Sequence, residues 1–128
     1  MSGLRAAGLA VTRPVVSLKV AAWTWASVRA LGPSLQTDGI EAVDRVRRPP
    51  SAPVGHRAAV DGLLTVMHAS CLVRSAVLQR WDADHDRSRP LVIGVAREDG
   101  RIVAHAWLEG EESGDDFVEL HRRPPAPS

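Results

Sequence analysis

Residues 91–109 read LVIGVAREDGRIVAHAWLE, and this stretch decides the fold class. Leu91–Val95 is a run typical of a β-strand, Asp99-Gly100 is a pair favoured at the centre of a tight hairpin turn, and Ile102–Glu109 forms the return strand. The sequence therefore predicts an antiparallel hairpin whose turn spans 98–101. Beyond it, a second turn and a third strand are predicted at 111–115 and 117–121.

Upstream of Pro90 the apolar residues recur with helical spacing. The predicted helices span 14–31, 37–46, 56–68 and 71–81. Gly32-Pro33 is expected to end the first of them. In the third, the residues expected to face the core are Ala59, Leu63, Val66 and Met67. Helices followed by an antiparallel sheet predict an α+β fold.

Prolines also indicate how the chain is divided. Arg47–Gly55 contains three prolines and is typical of a linker. We therefore predict a helical arm at 1–50, a core at 51–123 and a disordered tail at 124–128. At 128 residues, the chain is long enough for one hydrophobic core but not for two.

The net charge of +1 is too small to indicate a nucleic acid partner. Its distribution is uneven. Residues 1–50 carry seven basic and three acidic side chains, for +4, whereas residues 111–128 carry two basic and five acidic side chains, for −3. Two interpretations stay open: a solvated basic helical face with an acidic hairpin tip, or a basic surface that receives an acidic peptide or partner.

The chain contains one cysteine, so it cannot form an intrachain disulfide. Arg13 interrupts the short apolar start of the chain, which does not fit the core of a signal peptide. Lys19 and Arg29 lie within the apolar segment 15–30 and favour an amphipathic helix over a membrane span. We expect a cytoplasmic protein without membrane insertion.

Cys71 lies where a loop is predicted to turn into an apolar helix. The free N–H groups and the dipole at such a helix start favour the thiolate, which is the nucleophilic form, and can also bind a developing oxyanion. A lone cysteine is more often an inert buried residue. Cys71 is therefore a candidate nucleophile, with burial as the structural alternative.

His105 is the candidate base, because a thiolate needs a group that takes and returns a proton near neutral pH. Alternation along the predicted strand places His105, Trp107 and Glu109 on one face. The structural alternative is a strand histidine that serves packing alone.

No metal or cofactor site is predicted. The potential zinc ligands of the chain lack the paired spacing of a zinc site; they are His56, His68, Cys71 and His85. The aspartates at 82, 84 and 86 resemble the start of a calcium loop, but Arg87 and Ile93 occupy the positions that require glycine and glutamate. The segment Asp82–Arg89 is therefore expected to be a solvated loop.

Three blocks of the sequence, SCLVRS at 70–75, LVIGV at 91–95 and AHAWLE at 104–109, together resemble the B2-type leader peptidases of lasso-peptide biosynthesis. These are transglutaminase-like, papain-related cysteine peptidases. The resemblance covers residues 57–120 and implies a transglutaminase-like cysteine peptidase fold for the core. The helical arm, with Arg-Arg-Pro-Pro at 47–50, resembles the family more loosely.

The resemblance implies that Cys71 is the nucleophile, that His105 is the base and that an acidic residue follows on the next strand. A direct count from His105 at the family spacing reaches Phe117, which cannot serve. The hairpin tip is longer than is usual in the family, which moves the acid to Glu119, with Asp116 as the alternative. Glu119 is expected opposite His105.

The implied reaction removes the leader from a ribosomally made precursor and exposes the core amine for macrolactam formation. The implied partners are the precursor peptide, a separate leader-recognition protein, because the chain is short, and the ATP-dependent macrolactam synthetase. No cofactor is implied. The same fold and triad also serve acyl transfer to amines, and an inactive peptide-binding scaffold is a third possibility.

Overall fold

The computed structural model describes residues 2–111 and 117–125 of the chain. In this part three α-helices precede three strands, and in order they are α1 (Ser2–Asp38), α2 (Arg57–Val66), α3 (Cys71–Ala83), β1 (Leu91–Glu98), β2 (Arg101–Leu108) and β3 (Val118–Arg123). Two 3₁₀ segments, Gly39–Arg45 and Val54–His56, lie between α1 and α2. The predicted α+β order is confirmed. Within the described residues, no helix is both long and apolar enough to cross a bilayer.

Helix α1 continues through Gly32-Pro33, so its predicted end at these residues is wrong. A proline in a helix interior removes one hydrogen bond and costs roughly 3 kcal/mol. Leu31 is 4% exposed and Leu35 packs on the core, and burial of these side chains keeps the last turns helical. Gly39, with a φ of 73°, follows the helix in the left-handed conformation that commonly ends helices.

The second predicted helix, 37–46, is shorter and tighter than expected. It forms the 3₁₀ segment Gly39–Arg45, in which Ala42 and Val43 are buried. Asp38 precedes this segment but makes no capping hydrogen bond with its side chain. The segment after it, from Val46, is extended and leads to the linker region.

Helix α2 buries Val60 and Leu64, which is not the predicted face. Ala59 is exposed, and the side chain of Val66 is 73% exposed. The apolar residues of α2 cover a wide arc, so their spacing allows more than one buried face. Contact with α1 and α3 selects the face that carries Val60 and Leu64.

The predicted hairpin is confirmed. β1 pairs antiparallel with β2 in a register that runs from Leu91↔Leu108 to Glu98↔Arg101. Asp99 and Gly100 connect the strands with φ of 50° and 78°. Both central residues are thus in the left-handed region, which favours the Asp-Gly pair at this turn.

The third strand lies on the far side of β1 from β2, because the sheet order is β2-β1-β3. β3 pairs antiparallel with β1, and the register shifts between Ile93 and Gly94. β1 is therefore the central strand. Residues 112–116, which hold most of the second predicted turn, lie outside the described residues, as do residues 126–128 of the predicted tail.

One buried cluster joins the helices to one face of the sheet. Trp81 of α3, Leu91 of β1 and Leu108 of β2 belong to it, and each is 0% exposed. Val20 of α1 belongs to the same cluster, at 1% exposed. The segment predicted as an arm therefore packs on α2 and α3 and shares one core with the sheet, while the boundary at residue 50 stays a prediction.

Candidate active site

Cys71 is the first residue of α3 and directly follows the N-cap residue Ser70. Ser70 has an extended backbone, and its hydroxyl accepts a hydrogen bond from the Val73 N–H at 3.3 Å. Serine is preferred here because its side chain satisfies one of the N–H groups that a helix start leaves free. The helix start predicted at Cys71 is confirmed, and the Cys71 side chain is half-buried against the core.

His105 lies in β2 and is half-buried between aromatic side chains. Its ring stacks on Trp107, with centroids 5.8 Å apart and 23° between the planes, and meets the tilted ring of Phe117 at 5.2 Å. The centroids of Trp107 and Phe117 are 6.0 Å apart. The predicted placement of His105 and Trp107 on one face is thus confirmed, and Phe117 completes a cluster of three rings.

Cys71 and His105 are not in hydrogen-bond contact, and within the described residues the thiol has no bonded partner. Strand alternation explains this separation. Ala106 and Ile93 are direct partners and both belong to the cluster against which Cys71 packs, so they face α3. His105 is one position from Ala106 along β2 and therefore points to the opposite face. The structure does not bring the predicted nucleophile and the predicted base together.

Glu119 is separated from His105 by the central strand, so it is not directly opposite as expected. Gly94 of β1 is the register partner of both residues. The Glu119 carboxylate accepts hydrogen bonds from the Arg122 guanidinium at 2.7 and 3.3 Å, and Arg122 also donates to Glu109 at 2.6 Å. The bond from Arg122 holds the pKa of Glu119 below its ordinary value. The carboxylate of Glu119 is thus bound to an arginine.

Two residues that shape the surroundings of His105 were not identified from the sequence. Phe117 packs against the rings of His105 and Trp107, and Gly94 allows the Trp107 ring to approach β1. A Cβ at Gly94 would lie 2.8 Å from the Trp107 ring and 2.8 Å from the carbonyl oxygen of Val118. The absence of a side chain therefore lets the Trp107 ring cover the middle of β1. A glycine inside a β-rich run is itself a signal of such close approach. Asp116, the alternative acid, lies outside the described residues.

Among the residues that the structure describes, the buried carboxylate lies elsewhere, at Asp82 near the end of α3. Asp82 is 1% exposed and accepts hydrogen bonds from Arg57 at 2.8 Å and from Arg89 at 2.7 Å. Burial opposes the charge of Asp82, but the two guanidinium groups outweigh burial and lower its pKa. The predicted solvated loop is therefore wrong at its first residue, because Asp82 belongs to the core.

The same arrangement bears on metal binding. Both oxygens of Asp82 are committed to arginine. In the portion of the chain that the structure describes, no group of three or more His, Cys, Asp or Glu side chains could hold a metal ion.

Comparison with known proteins gives one match. A family model described as the transglutaminase-like superfamily matches residues 15–123, which include most of α1, both other helices and the whole sheet. Cys71, His105 and Glu119 all lie within the matched range. No curated protein and no solved structure matches the chain significantly.

Proposed function

Because the chain belongs to the transglutaminase-like superfamily, we propose that it is a cysteine peptidase that removes the leader from a ribosomally made lasso-peptide precursor. One observation carries the proposal. The single cysteine of a chain from this superfamily is the first residue of a capped, largely buried helix. Such a position suits a nucleophile better than a packing residue, because the helix start favours a thiolate.

In the proposed reaction, the Cys71 thiolate attacks the scissile carbonyl carbon, and a C–S bond forms as the carbonyl oxygen takes up negative charge. The Val73 N–H already donates to the Ser70 hydroxyl, and the Arg74 N–H donates to the Ser70 carbonyl. The N–H groups of Cys71 and Leu72 have no acceptor within the helix, so they are the donors we assign to the oxyanion.

The proposed general acid is His105, which protonates the amine that leaves as the C–N bond breaks. Water then attacks the thioester and releases the leader as a carboxylic acid. Glu119 is the proposed third residue. Because strand alternation points His105 away from α3, pairing with Cys71 requires β2 to rearrange as well as the imidazole to leave its stack with Trp107 and Phe117. The base is therefore tested separately from the nucleophile.

The proposed partners follow from the reaction. The precursor peptide is the substrate, a macrolactam synthetase joins the freed amine to a side-chain carboxylate, and a separate protein recognises the leader. We place these steps in the cytoplasm. The docking surface proposed for the recognition protein is the basic segment with Arg45, Arg47 and Arg48.

A peptide-binding scaffold is the second candidate function. It is favoured by the observation that the Cys71 thiol has no partner within the described residues and that the His105 ring packs between aromatic side chains. Alkylation by iodoacetamide separates the two functions. If the chain is a peptidase, iodoacetamide should alkylate Cys71 rapidly near neutral pH. If it is a scaffold, Cys71 should be alkylated only as slowly as an ordinary cysteine.

Replacement of Cys71 by Ala tests the nucleophile. We expect Cys71→Ala to abolish precursor cleavage, followed by mass spectrometry, while the thermal unfolding midpoint stays close to that of the parent chain. Val54→Ala, at a side chain that is 58% exposed, is the matched control and should cleave normally. Cleavage by Cys71→Ala at the parent rate would remove Cys71 from the mechanism.

Replacement of His105 by Ala tests the base. We expect His105→Ala to be nearly inactive, and the pH profile of Cys71 alkylation should move towards that of an unpaired thiol, because the imidazole no longer stabilises the thiolate. His121→Ala, at an exposed histidine of β3, is the matched control. An unchanged alkylation profile in His105→Ala would mean that the two residues do not act as a pair.

A further inference from the structure

A cavity of about 220 Å³ lies between α1 and the segment that follows it, away from Cys71 and His105. It is open to solvent on one side, and its lining is mostly apolar. The residues that matter here are Trp23, Ala26, Ala30, Leu31, Val46 and Arg47. None of them takes part in the proposed peptidase reaction.

The cavity is formed by two fixed walls. The indole N–H of Trp23 donates to the Arg47 carbonyl oxygen at 3.0 Å, which holds the extended chain against α1. At the other end, Arg45 forms an ion pair with Asp38, the last residue of α1. Because the hydrogen bond and the ion pair already order both walls, binding of a ligand would cost little conformational entropy of the protein.

The size of the cavity limits what it can hold. Pockets for drug-sized molecules begin at roughly 300 Å³, whereas an apolar cavity of about 150 Å³ is sufficient for benzene. A cavity of about 220 Å³ therefore suits one large aliphatic or aromatic side chain. On the α1 wall, the side chains of Ala26 and Ala30 are small and therefore leave space for such a group.

The charge at the rim indicates what accompanies that side chain. Of the three arginines in the basic segment, Arg45 pairs with Asp38 and Arg48 pairs with Asp84. Within the described residues, Arg47 has no carboxylate partner, and it is exposed at the cavity. An exposed guanidinium beside an apolar pocket complements a carboxylate that neighbours an apolar side chain.

We propose that this cavity is a docking site for an acidic segment of a second protein, which inserts one large apolar side chain and places a carboxylate on Arg47. This contact would be the docking site of the recognition protein in the proposed function. Only the identity of the partner rests on that function. Binding itself needs no reactive thiol. Cys71→Ala should therefore bind the segment as the parent chain does, even if the peptidase proposal fails.

The test measures fluorescence anisotropy of a short labelled peptide that carries one phenylalanine flanked by glutamates. The full chain should bind it saturably. Two altered peptides are then compared on the unaltered protein. Replacement of the phenylalanine by alanine tests the apolar anchor, and replacement of the glutamates by glutamine tests the charge. We expect loss of the anchor to weaken binding about tenfold or more and loss of the charge to weaken it about threefold. Equal binding of all three peptides would overturn the proposal.

Variants of the chain locate the site. Ala30→Leu fills the cavity and Arg47→Glu reverses the rim charge, and each should weaken binding of the acidic peptide. Ala22→Leu and Arg29→Glu are the matched controls, because both residues are exposed on α1 outside the lining. Weakening by the controls but not by the cavity variants would overturn the assignment. Sedimentation provides a second check. If the parent chain is a dimer and Ala30→Leu is a monomer, a second copy of the chain occupies the cavity and the proposal is overturned.

Discussion

At the scale of single residues, His85 shows how one side chain ties two distant segments. Its two ring nitrogens each lie 2.8 Å from a carbonyl oxygen, that of Trp81 and that of Ala52. A neutral imidazole has one N–H and can donate to only one of them, whereas the imidazolium donates to both. The ring also stacks on Trp81 at 4.3 Å, an arrangement that favours the cation. His85 thus fixes the linker region to the end of α3.

This arrangement predicts a pH-dependent stability. Burial opposes the charge of His85, but hydrogen bonds to the two carbonyls, with the carboxylates of Asp84 and Asp82, outweigh burial and raise its pKa. A raised pKa in the folded state stabilises the protein fully below the unfolded value, about pH 6.5, and this contribution is lost as pH rises through the folded value. We expect urea unfolding to give a free energy that falls as pH rises above about 6.5.

His85→Gln provides the comparison, because glutamine does not titrate in this range. The decrease in the free energy of unfolding should be smaller in His85→Gln than in the parent chain. His121→Gln, at an exposed position, controls for removal of a histidine in general. An equal decrease in all three chains would show that His85 is not the titrating group.

At the scale of elements, the sheet depends on Gly94 in its central strand. β1 is paired on both sides, and the register shift at Ile93/Gly94 brings β3 close to Gly94. Any side chain there meets the Trp107 ring and the Val118 carbonyl. The ring could rotate away, but the backbone carbonyl can move only if β3 moves with it.

Gly94→Ala should therefore be destabilising, by about 1 to 3 kcal/mol, as expected when a methyl group is forced into a packed site. Chemical denaturation would measure the loss, and tryptophan fluorescence would report displacement of Trp107. Gly62→Ala is the control, since Gly62 lies within α2 with no atom near its added Cβ. That variant should instead be stabilised, by roughly 0.5 to 1 kcal/mol. A Gly94→Ala chain as stable as the parent would contradict the packing described for this strand.

Two elements show what local sequence patterns can predict and what they cannot. The hairpin could be predicted because Asp99-Gly100 fixes the turn locally and the strand pattern on either side fits it. The end of α1 could not, because Pro33 opposes the helix locally while burial of Leu31 and Leu35 favours it. Local rules identify the cost of the proline but not the burial that offsets it.

At the scale of the whole molecule, α1 has a packed face and an open one. Val20 and Leu31 of α1 are buried in the common core, while Leu18 and Trp25 are 70% and 54% exposed. The basic segment after α1 leads from the arm to α2. A partner that binds this side would be held by the same helix that packs on α2 and α3.

Delegated recognition predicts a specific kinetic behaviour. This chain alone should cleave its precursor slowly, and addition of a separate recognition protein should accelerate cleavage. Tethering the leader near the active site replaces a weak bimolecular encounter with a local concentration of about millimolar. Cleavage rates with and without the second protein measure the effect. Arg47→Glu should reduce the acceleration and leave the unassisted rate unchanged, whereas full activity of the chain by itself would exclude delegated recognition.

By itself, the sequence determined the order of the elements, the hairpin and the start of α3 at Cys71, because each depends on a signal within a few residues: an Asp-Gly turn, alternating strands and a loop that turns into an apolar helix. The resemblance of its motif blocks also pointed to the superfamily. Only the tertiary structure decided that α2 buries Val60 and Leu64, that β3 pairs with β1, and that His105 faces away from the core cluster. These features depend on which surfaces meet across long stretches of chain, and neither residue spacing nor local propensity contains that information.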